Sequence, residues 1–428
     1  MTRDEGRDDR SRRRWLAAGL GLAGLGLAAC AAPGRGPSAG RVVVVGGGFG
    51  GATAARQLRL AAPELEVMLV ERQPQFVSCP MSNLVIGGQR AMADITRGYQ
   101  ALQALGVRVV QGEAVAIDPA ARRLRLADGA SLGYDRLILA PGIDFMLDEV
   151  EGLAGALGAG TVLHAWKAGP QTLALRRRLE AMPDGGVFVL SIPPVPYRCP
   201  PAPYERACLV ASYLKRVKPR SKLLLMDANP EIQSKRALFE RAFAQHYAGL
   251  IEYRPNAELK AVAGRLAKFE FEDIEADVLN VVPPQRGADL ARQAGLLSVN
   301  GRWIGVNWLT MECTAAPGIH ALGDAVFPAP QMPKSGQMAN QQARLVAAAV
   351  IRLLRGEPVQ APPLLTSTCF SFVTPDEAVH LASVHRYDAT HQTFNPVPGA
   401  GGLSAAASAE EAAHARSWAE AIWRDTLG

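Results

Sequence analysis

Two short runs near the start of the chain have no polar residue in their interior. They occupy residues 42–45 and 66–70. Such runs, without polar alternation, are typical of strands that are buried on both faces of a parallel sheet. Residues 52 to about 60, between the runs, predict a helix. Strand, helix and strand in this order predict a Rossmann-type unit of an α/β fold.

The turn after the first run carries a glycine motif. Gly46, Gly48 and Gly51 have the spacing Gly-x-Gly-x-x-Gly. The first glycine permits the turn, the second lets a pyrophosphate approach the backbone, and the third lets helix and strand pack closely. Glu71 follows the second run, where a carboxylate binds ribose hydroxyls. This context predicts that the unit binds a dinucleotide.

A second strand pattern lies in the middle of the chain. Residues 185–190 predict one strand, and residues 222–226, followed by Asp227, predict the next. The turn after the first of these strands carries Pro193 and Pro194 in place of glycines. Proline has no backbone N–H to donate to a pyrophosphate. The pattern therefore predicts a Rossmann-like unit without a nicotinamide site, which argues against an NAD(P)H reductase.

The first 30 residues predict a targeting segment that takes no part in the fold. Three arginines at residues 12–14 precede an apolar stretch at residues 16–29, which is too short to span a bilayer comfortably. The pattern resembles a twin-arginine export signal, so a periplasmic location is expected. Cys30 ends a sequence that resembles a lipoprotein cleavage box, and two interpretations stay open: a lipid anchor on Cys30, or a simple cut just after it. Residues 31–40 predict a flexible linker.

Composition indicates two or three domains and excludes some partners. The 428 residues carry a formal net charge of +6, which is too mild and too scattered for a nucleic-acid-binding protein. No Cys-x-x-Cys-His motif is present, so this chain attaches no c-type haem, and its histidines show no metal-ligand spacing. We therefore expect no metal site. A disulfide is expected among the six cysteines, which are Cys30, Cys79, Cys199, Cys208, Cys313 and Cys369.

Two further stretches resemble flavoproteins of the glutathione-reductase fold, which have two dinucleotide-binding domains. They are residues 134–142 and residues 318–325. The resemblance implies an α/β fold with two Rossmann-type domains and a C-terminal interface domain, and it implies bound FAD whose ribityl chain is held by Asp324. The domain boundaries that we predict are 41–160 for the first part of the FAD domain, 161–290 for the second Rossmann-like domain, 291–356 for the return of the FAD domain, and 357–428 for the C-terminal domain.

Longer segments resemble the flavoprotein subunits of flavocytochrome c sulfide dehydrogenase. They are residues 78–88, 164–169, 198–207, 282–286 and 332–336. The resemblance implies that Cys79 forms a thioether to the flavin, and that Cys199 and Cys369 form a redox-active disulfide near it. It also implies that the helix after Lys334 points at the flavin pyrimidine, and that a c-type cytochrome subunit accepts the electrons.

The implied chemistry begins with attack of a sulfide anion on that disulfide, which leaves a persulfide and a thiolate. We expect Arg198 and Lys334 to raise the local positive potential and so to lower thiol pKa values. Glu205 is interpreted in two ways, as a proton shuttle or as a solvated helix charge. Cys208 and Cys313 are interpreted as core thiols.

Three alternatives to a periplasmic sulfide:cytochrome c reductase stay open. The first is the related flavoprotein of a thiosulfate-oxidising system, which acts on a protein-bound persulfide or thiol. The second is a sulfide:quinone reductase, although residues 405–428 hold few large apolar residues for a membrane-binding helix. The third is a non-catalytic redox subunit, which the retained Cys199 and Cys369 disfavour. Contact with a membrane is expected only through a lipid on Cys30.

Overall fold

The computed structural model describes residues 40–360 and 364–428. The predicted export signal, Cys30 and nearly all of the predicted linker lie outside the described residues. Within the described part of the chain, no helix combines the length and the apolarity needed to cross a bilayer.

The first sheet carries the glycine motif at its centre. Arg41–Val45 pairs in parallel with Glu66–Glu71 on one side and with Arg136–Leu139 on the other, and its four valines are buried. Helices cover both faces of such a strand, which explains the apolar run. The seven strands lie in the spatial order Val306–Asn307, Glu312–Cys313, Ile319–Ala321, Arg136–Leu139, Arg41–Val45, Glu66–Glu71 and Arg108–Gln111.

The first helix is Phe49–Ala61, which begins before the predicted start at residue 52. The turn of the motif is already complete at Gly48, whose extended backbone precedes the helix. Gly50 and Gly51 belong to the first helical turn and lie against the sheet. A Cβ on Gly51 would come within 1.9 Å of the Gly46 carbonyl oxygen, so this close packing requires glycine.

The second sheet has five parallel strands, in the order Val162–Leu163, Val278–Val281, Val187–Ile192, Lys222–Asp227 and Ile251–Arg254. Helices Pro170–Ala181, Ala202–Val217 and Arg236–His246 connect or flank these strands. The sheet therefore has the predicted Rossmann-like framework, and the turn after Val187–Ile192 contains the prolines.

The C-terminal part is an antiparallel sheet followed by a long helix. The strands Leu365–Phe372, Ala378–Asp388 and Thr393–Leu403 pair in sequence order. Helix Ala409–Leu427 packs on the first helix and on this sheet, and it buries Trp423. The sheet thus joins the end of the chain to the first domain.

Smaller elements complete the described fold. The small sheets are Phe76–Val77 with Thr96–Arg97, Ala114–Asp118 with Arg123–Leu126 and Ser131–Gly133, Ile143–Phe145 with Gln285–Gly287, and Leu259–Ala263 with Leu266–Phe269 and Asp273–Glu275. The other helices are Ser82–Gly87, Met92–Ile95, Gln100–Ala104, Leu147–Glu149, Leu153–Gly158, Asp289–Gln293, Gly323–Ala325 and Gly336–Leu354. The predicted α/β class with two Rossmann-type sheets is confirmed, whereas the exact domain boundaries stay predictions.

Candidate active site

A cavity of about 910 Å³ brings nearly all the predicted site residues together. It extends from the glycine turn of the first sheet to the C-terminal sheet. Of the predicted site residues, all but Gly51 line it: Gly46, Gly48, Glu71, Cys79, Cys199, Glu205, Asp324, Lys334 and Cys369. Residues remote in sequence therefore share one chamber.

The glycine turn leaves room for a ligand at one position only. Gly46 has φ +96°, and a Cβ there would come within 2.3 Å of the Ala140 carbonyl oxygen. At Gly48, in contrast, a Cβ would meet no atom within 4 Å. The backbone at Gly48 therefore faces open space at the start of the first helix, where a pyrophosphate approaches a dinucleotide fold.

Glu71 stands beside this turn at the end of its strand. Its Oε2 accepts a hydrogen bond from the Gly47 N–H at 2.6 Å, and its Oε1 accepts one from the Gln73 N–H at 2.8 Å. The two backbone donors fix the carboxylate at the rim of the cavity. This is the position that binding of ribose hydroxyls requires.

Asp324 presents an unused acceptor to the cavity. Its Oδ1 is buried and has no hydrogen-bond partner in residues 40–360 and 364–428, while Oδ2 lies 3.8 Å from Arg198 Nη1. A buried carboxylate oxygen normally has a donor. The hydroxyls of a ribityl chain supply such donors, so the open glycine turn, Glu71 and Asp324 together fit FAD.

Lys334 is arranged differently from our expectation. Its ammonium donates to the carbonyl oxygens of Asp324 and Val326 and lies 3.8 Å from the centroid of the Trp303 ring. Burial lowers the pKa of Lys334 to about 7. Its link to Cys199 is through the backbone, since the Cys199 N–H donates to the Lys334 carbonyl oxygen at 2.8 Å. The ammonium therefore has no hydrogen bond to a thiol.

Arg198 makes its hydrogen bond to Cys79, and its positive charge also acts on its sequence neighbour Cys199. Its Nη2 lies 3.2 Å from Cys79 Sγ and donates to the Trp166 carbonyl oxygen at 2.5 Å. Cys79 is half-buried in the loop before helix Ser82–Gly87. Cys79 therefore has a guanidinium as its hydrogen-bond partner.

Cys199 and Cys369 meet on the far side of the cavity as free thiols. Cys199 lies in the turn before helix Ala202–Val217, and Cys369 lies in strand Leu365–Phe372. Hydrogen bonding to Cys369, followed by burial, raises the pKa of the Cys199 thiol. Hydrogen bonding from Cys199 lowers the pKa of Cys369 to about 6, and Lys235 contributes to this shift.

Glu205 is held inside the site by two donors. Its Oε1 accepts from the Phe372 N–H at 2.8 Å and its Oε2 accepts from Asn83 Nδ2 at 2.7 Å. Burial raises the pKa of Glu205. This environment disfavours the interpretation as a solvated helix charge, and the carboxyl group lies next to the cysteine pair.

A buried arginine that the sequence analysis did not single out supports the wall of the cavity. Arg206 is 2% exposed and lies over the Trp166 ring. Its guanidinium donates to the side chains of Asn83 and Asn280 and to the carbonyl oxygens of His164 and Ala165. It falls within the family-like segment 198–207, and this resemblance is the feature of the sequence that could have identified it.

A second unpredicted residue, Lys235, reaches the cysteine pair itself. Its Nζ donates to Ser371 Oγ at 2.8 Å and lies 3.7 Å from Cys369 Sγ. In the sequence this lysine precedes a helix among polar residues, a pattern typical of a surface. No local signal identifies it, since only the tertiary fold brings it to Cys369.

Three family models match successive parts of the chain. Residues 40–174 match the pyridine nucleotide-disulphide oxidoreductase model. Residues 172–283 match the central domain of the sulfide dehydrogenase (flavocytochrome c) flavoprotein chain, and residues 361–427 match the flavin-binding domain of flavocytochrome c sulphide dehydrogenase. Together with the cavity, these matches define the class of the protein: it is a flavoprotein oxidoreductase that binds FAD.

Individual relatives narrow this class. The chain is 60% identical over 45 residues to the sulfide dehydrogenase (flavocytochrome c) flavoprotein chain of Chlorobaculum thiosulfatiphilum. The matched segment covers 94% of that sequence and 10% of this chain. It is 26% identical over 361 residues to the sulfide-quinone reductase of Aquifex aeolicus, covering 77% of this chain and 80% of that one. The chain is a flavoprotein similar to the flavocytochrome c sulfide dehydrogenase flavoprotein chains and the sulfide:quinone reductases.

One solved structure has the same fold, and further curated relatives match part of the chain. The solved structure of the Aquifex aeolicus sulfide:quinone oxidoreductase superposes with a TM-score of 0.76 at 20% identity, covering 90% of this chain and 91% of that one. The mouse mitochondrial sulfide:quinone oxidoreductase is 25% identical over 309 residues, which are 66% of this chain. The match spans 65% of the length of that protein and 65% of its Dictyostelium discoideum counterpart.

Proposed function

We propose that this protein oxidises sulfide through a redox-active disulfide between Cys199 and Cys369 and passes the electrons through FAD to a c-type cytochrome. One observation carries the proposal: two thiols from distant parts of the chain meet in the cavity that fits FAD. Two cysteines that served only as core residues would not need a common face on a 910 Å³ chamber.

The first step needs only the cysteine pair and an anion. In the oxidised pair, HS⁻ attacks one sulfur, the S–S bond breaks, and the other sulfur leaves as a thiolate with the bonding electrons. The attacked cysteine then carries a persulfide. Bound FAD supplies the two-electron acceptor, because a flavin accepts a pair and releases single electrons. Glu205, beside the pair, holds the proton that this cycle exchanges between sulfur and solvent.

Cys79 is proposed as the covalent anchor of FAD. Its sulfur lies in the cavity and is hydrogen-bonded to Arg198, whereas Cys199 and Cys369 are hydrogen-bonded to each other. A thioether there leaves the other two cysteines free to react with each other. The division of three cysteines into one anchor and one reactive pair supports this assignment.

A cytochrome acceptor is favoured by the C-terminal helix. Its apolar side, with Ala415, Ala419 and Trp423, is buried against the rest of the protein. That side is therefore not free to insert into a lipid surface. We propose that the protein acts in the periplasm after twin-arginine export, where a c-type cytochrome meets it.

The proposal is tested by anaerobic titration of the purified holoprotein with sulfide, following the flavin absorbance. We expect wild type to bleach with a stoichiometric amount of sulfide. Cys199→Ser and Cys369→Ser should each slow bleaching by at least about 10²-fold, because a single thiol cannot form the disulfide that sulfide attacks. Cys208→Ala, at a buried cysteine that does not line the cavity, is the matched control.

Equal bleaching in wild type and in both serine variants would contradict the disulfide relay. Absence of bleaching in wild type, in a protein that dithionite still reduces, would contradict sulfide as the substrate. The control variant Cys208→Ala should bleach at the wild-type rate. If it also bleaches slowly, the effect of the serine variants reflects general damage to the fold.

Quinone is the second candidate acceptor, because the match to the sulfide-quinone reductase of Aquifex aeolicus covers 77% of this chain. The acceptor is identified by comparing turnover with sulfide in the presence of a soluble c-type cytochrome and of a soluble quinone analogue. We expect faster reduction of the cytochrome. Faster reduction of the quinone would assign the protein to the second function.

A further inference from the structure

Lys235 is a buried cation that the proposed reaction has not yet used. It is 6% exposed, and its Nζ lies 2.8 Å from Ser371 Oγ and 3.7 Å from Cys369 Sγ. A buried lysine needs anionic or polar partners to stay charged. Here both partners belong to one strand, Leu365–Phe372, and one of them is a reactive sulfur.

The second domain is built so that this lysine reaches the C-terminal sheet. Asp227, at the end of its strand, accepts hydrogen bonds from the hydroxyl groups of Tyr204 and Tyr253 and from Asn229. The carboxylate of Asp227 is thus hydrogen-bonded to side chains of its own domain. The segment that follows it ends at Lys235, whose backbone has φ +56° just before helix Arg236–His246.

Helix Arg236–His246 is itself attached to the same sheet. The hydroxyl group of Tyr247, directly after the helix, donates to the Val373 carbonyl oxygen at 2.7 Å. One end of the helix therefore carries Lys235 beside Cys369, and the other end is fixed just beyond the same strand. This double attachment holds the Nζ–Sγ geometry.

The charged and titratable groups around the pair are distributed unequally. Lys235 faces Cys369, whereas Glu205 faces the pair with both oxygens engaged by Asn83 and Phe372. Arg198 is hydrogen-bonded to Cys79 and, like Arg206, acts on Cys199 only through its charge, whereas Lys334 is bound to backbone carbonyl groups. The cation whose ammonium contacts a sulfur of the pair therefore lies on the Cys369 side.

We propose that Lys235 is a positioning residue that holds the negative charge of the cysteine pair on Cys369 and so directs sulfide to Cys199. This inference rests on the proposed function and assigns the direction of its first step. HS⁻ bonds to Cys199 Sγ, the Cys199–Cys369 bond breaks, and Cys369 leaves with the electron pair as a thiolate. The products are a Cys199 persulfide and a Cys369 thiolate, so this step balances without an external oxidant. FAD, when bound, would supply the two-electron acceptor for the remainder of the cycle.

The pKa values of the two thiols differ in the way that attack on Cys199 and departure of Cys369 require. In the reduced pair the hydrogen bond from Cys199, and after it the charge of Lys235, lowers the pKa of Cys369 to about 6, whereas the pKa of Cys199 is raised above its usual value. In the disulfide Cys199 has no S–H to donate, so the charge of Lys235 is the favourable contribution that remains. A sulfur with a lower thiol pKa is the better leaving group in thiol–disulfide exchange. An opposite charge at such a distance typically lowers a pKa by about 1–3 units.

The test has two readouts on the FAD-loaded protein. First, the reduced protein is alkylated with iodoacetamide across a pH series, and Cys199 and Cys369 are followed separately by peptide mapping. Second, the oxidised protein receives one equivalent of sulfide, and the persulfide is trapped and mapped. In wild type we expect Cys369 to react with a midpoint near pH 6, and we expect the persulfide on Cys199.

Lys235→Met should raise the alkylation midpoint of Cys369 by about one pH unit or more and spread the persulfide over both cysteines. Lys235→Arg, which keeps the charge, should restore both readouts. Ser371→Ala removes the hydroxyl group that fixes Nζ and should shift the midpoint in the same direction, so a folding failure of Lys235→Met does not end the test. Lys215→Met, at an exposed lysine of the same domain, is the control.

An unchanged Cys369 midpoint in Lys235→Met and Ser371→Ala would overturn the inference, as would a wild-type persulfide on Cys369. Failure of the proposed function has another signature. In that case sulfide does not bleach the flavin of wild type and forms no persulfide, whatever the alkylation midpoints show.

Discussion

At the scale of single residues, the three cysteines of the cavity have three different environments. Cys79 lies beside a guanidinium, Cys369 beside an ammonium, and Cys199 beside the thiol of Cys369. The sequence identified all three by resemblance. Their separate environments depend on tertiary contacts, and these environments suit different chemistry.

The first residue-scale prediction concerns Cys79. Cys79→Ala should release FAD on acid precipitation, whereas the wild-type pellet should stay yellow, because only a thioether survives denaturation. Flavin absorbance in pellet and supernatant measures the partition. Cys313→Ala, outside the cavity, should keep the yellow pellet, and loss of colour in wild type would contradict a covalent bond.

The second concerns Lys334. Because burial lowers its folded-state pKa from 10.5 to about 7, the folded protein binds fewer protons than the unfolded chain between these values. Wild-type stability should therefore gain up to about 1.4 kcal/mol per pH unit in this range, relative to a chain without this lysine.

Urea unfolding of wild type and Lys334→Met between pH 6 and pH 9 measures this difference. The advantage of wild type over the variant should grow as the pH rises above 7 and stay constant below it. The exposed Lys268→Met controls for loss of one positive charge. A pH-independent difference between wild type and Lys334→Met would contradict the buried, weakly basic lysine.

The contacts of Arg198 and Lys235 show what cannot be predicted from the sequence. Arg198 adjoins Cys199 in the chain, yet its guanidinium contacts Cys79, because the turn at Cys199 has φ +52° and separates the two side chains. Lys235 carries no motif. Adjacency along the backbone does not determine adjacency of side chains when the chain turns sharply.

At the scale of elements, the parallel strands were predictable and the C-terminal sheet was not. Strands such as Arg41–Val45 and Lys222–Asp227 are buried on both faces, so their apolar runs are evident. Thr393–Leu403 contains prolines and glycines and is largely exposed over its second half, so it lacks the usual strand pattern. The backbone hydrogen bonds to Ala378–Asp388 make it a strand, although its composition does not favour one.

The second Rossmann-like sheet leads to a prediction about nicotinamide. NADH and NADPH should leave the flavin oxidised, because Pro193 and Pro194 replace the phosphate-binding turn and Asp227 is occupied by Tyr204 and Tyr253. Anaerobic titration with each nucleotide, followed by dithionite as a positive control, measures this. Bleaching at micromolar NADH would contradict the loss of the nucleotide site.

At the scale of the whole molecule, the site needs three regions to be complete. The first sheet supplies the dinucleotide turn, the second domain supplies Cys199 and Lys235, and the C-terminal sheet supplies Cys369. The fold class and the list of reactive residues were accessible from sequence. The way in which the regions close on one another was not, because it depends on contacts between residues far apart in the chain.

Export is the prediction that concerns the whole chain. Replacing the arginines at residues 12–14 with lysines should retain the protein in the cytoplasm, because a twin-arginine signal depends on arginine itself. Fractionation of cells that express the full chain measures the location. The matched control replaces Arg3, Arg7 and Arg10 with lysine, and equal export of both variants would contradict the proposed route.

The distance along the polypeptide between the two paired sulfurs sets an order of events during synthesis. A nascent chain that has completed both Rossmann-type sheets already holds Cys199, but the strand with Cys369 has not yet emerged from the ribosome. Such a chain does not yet contain both members of the cysteine pair. The pair can therefore form only near the end of synthesis.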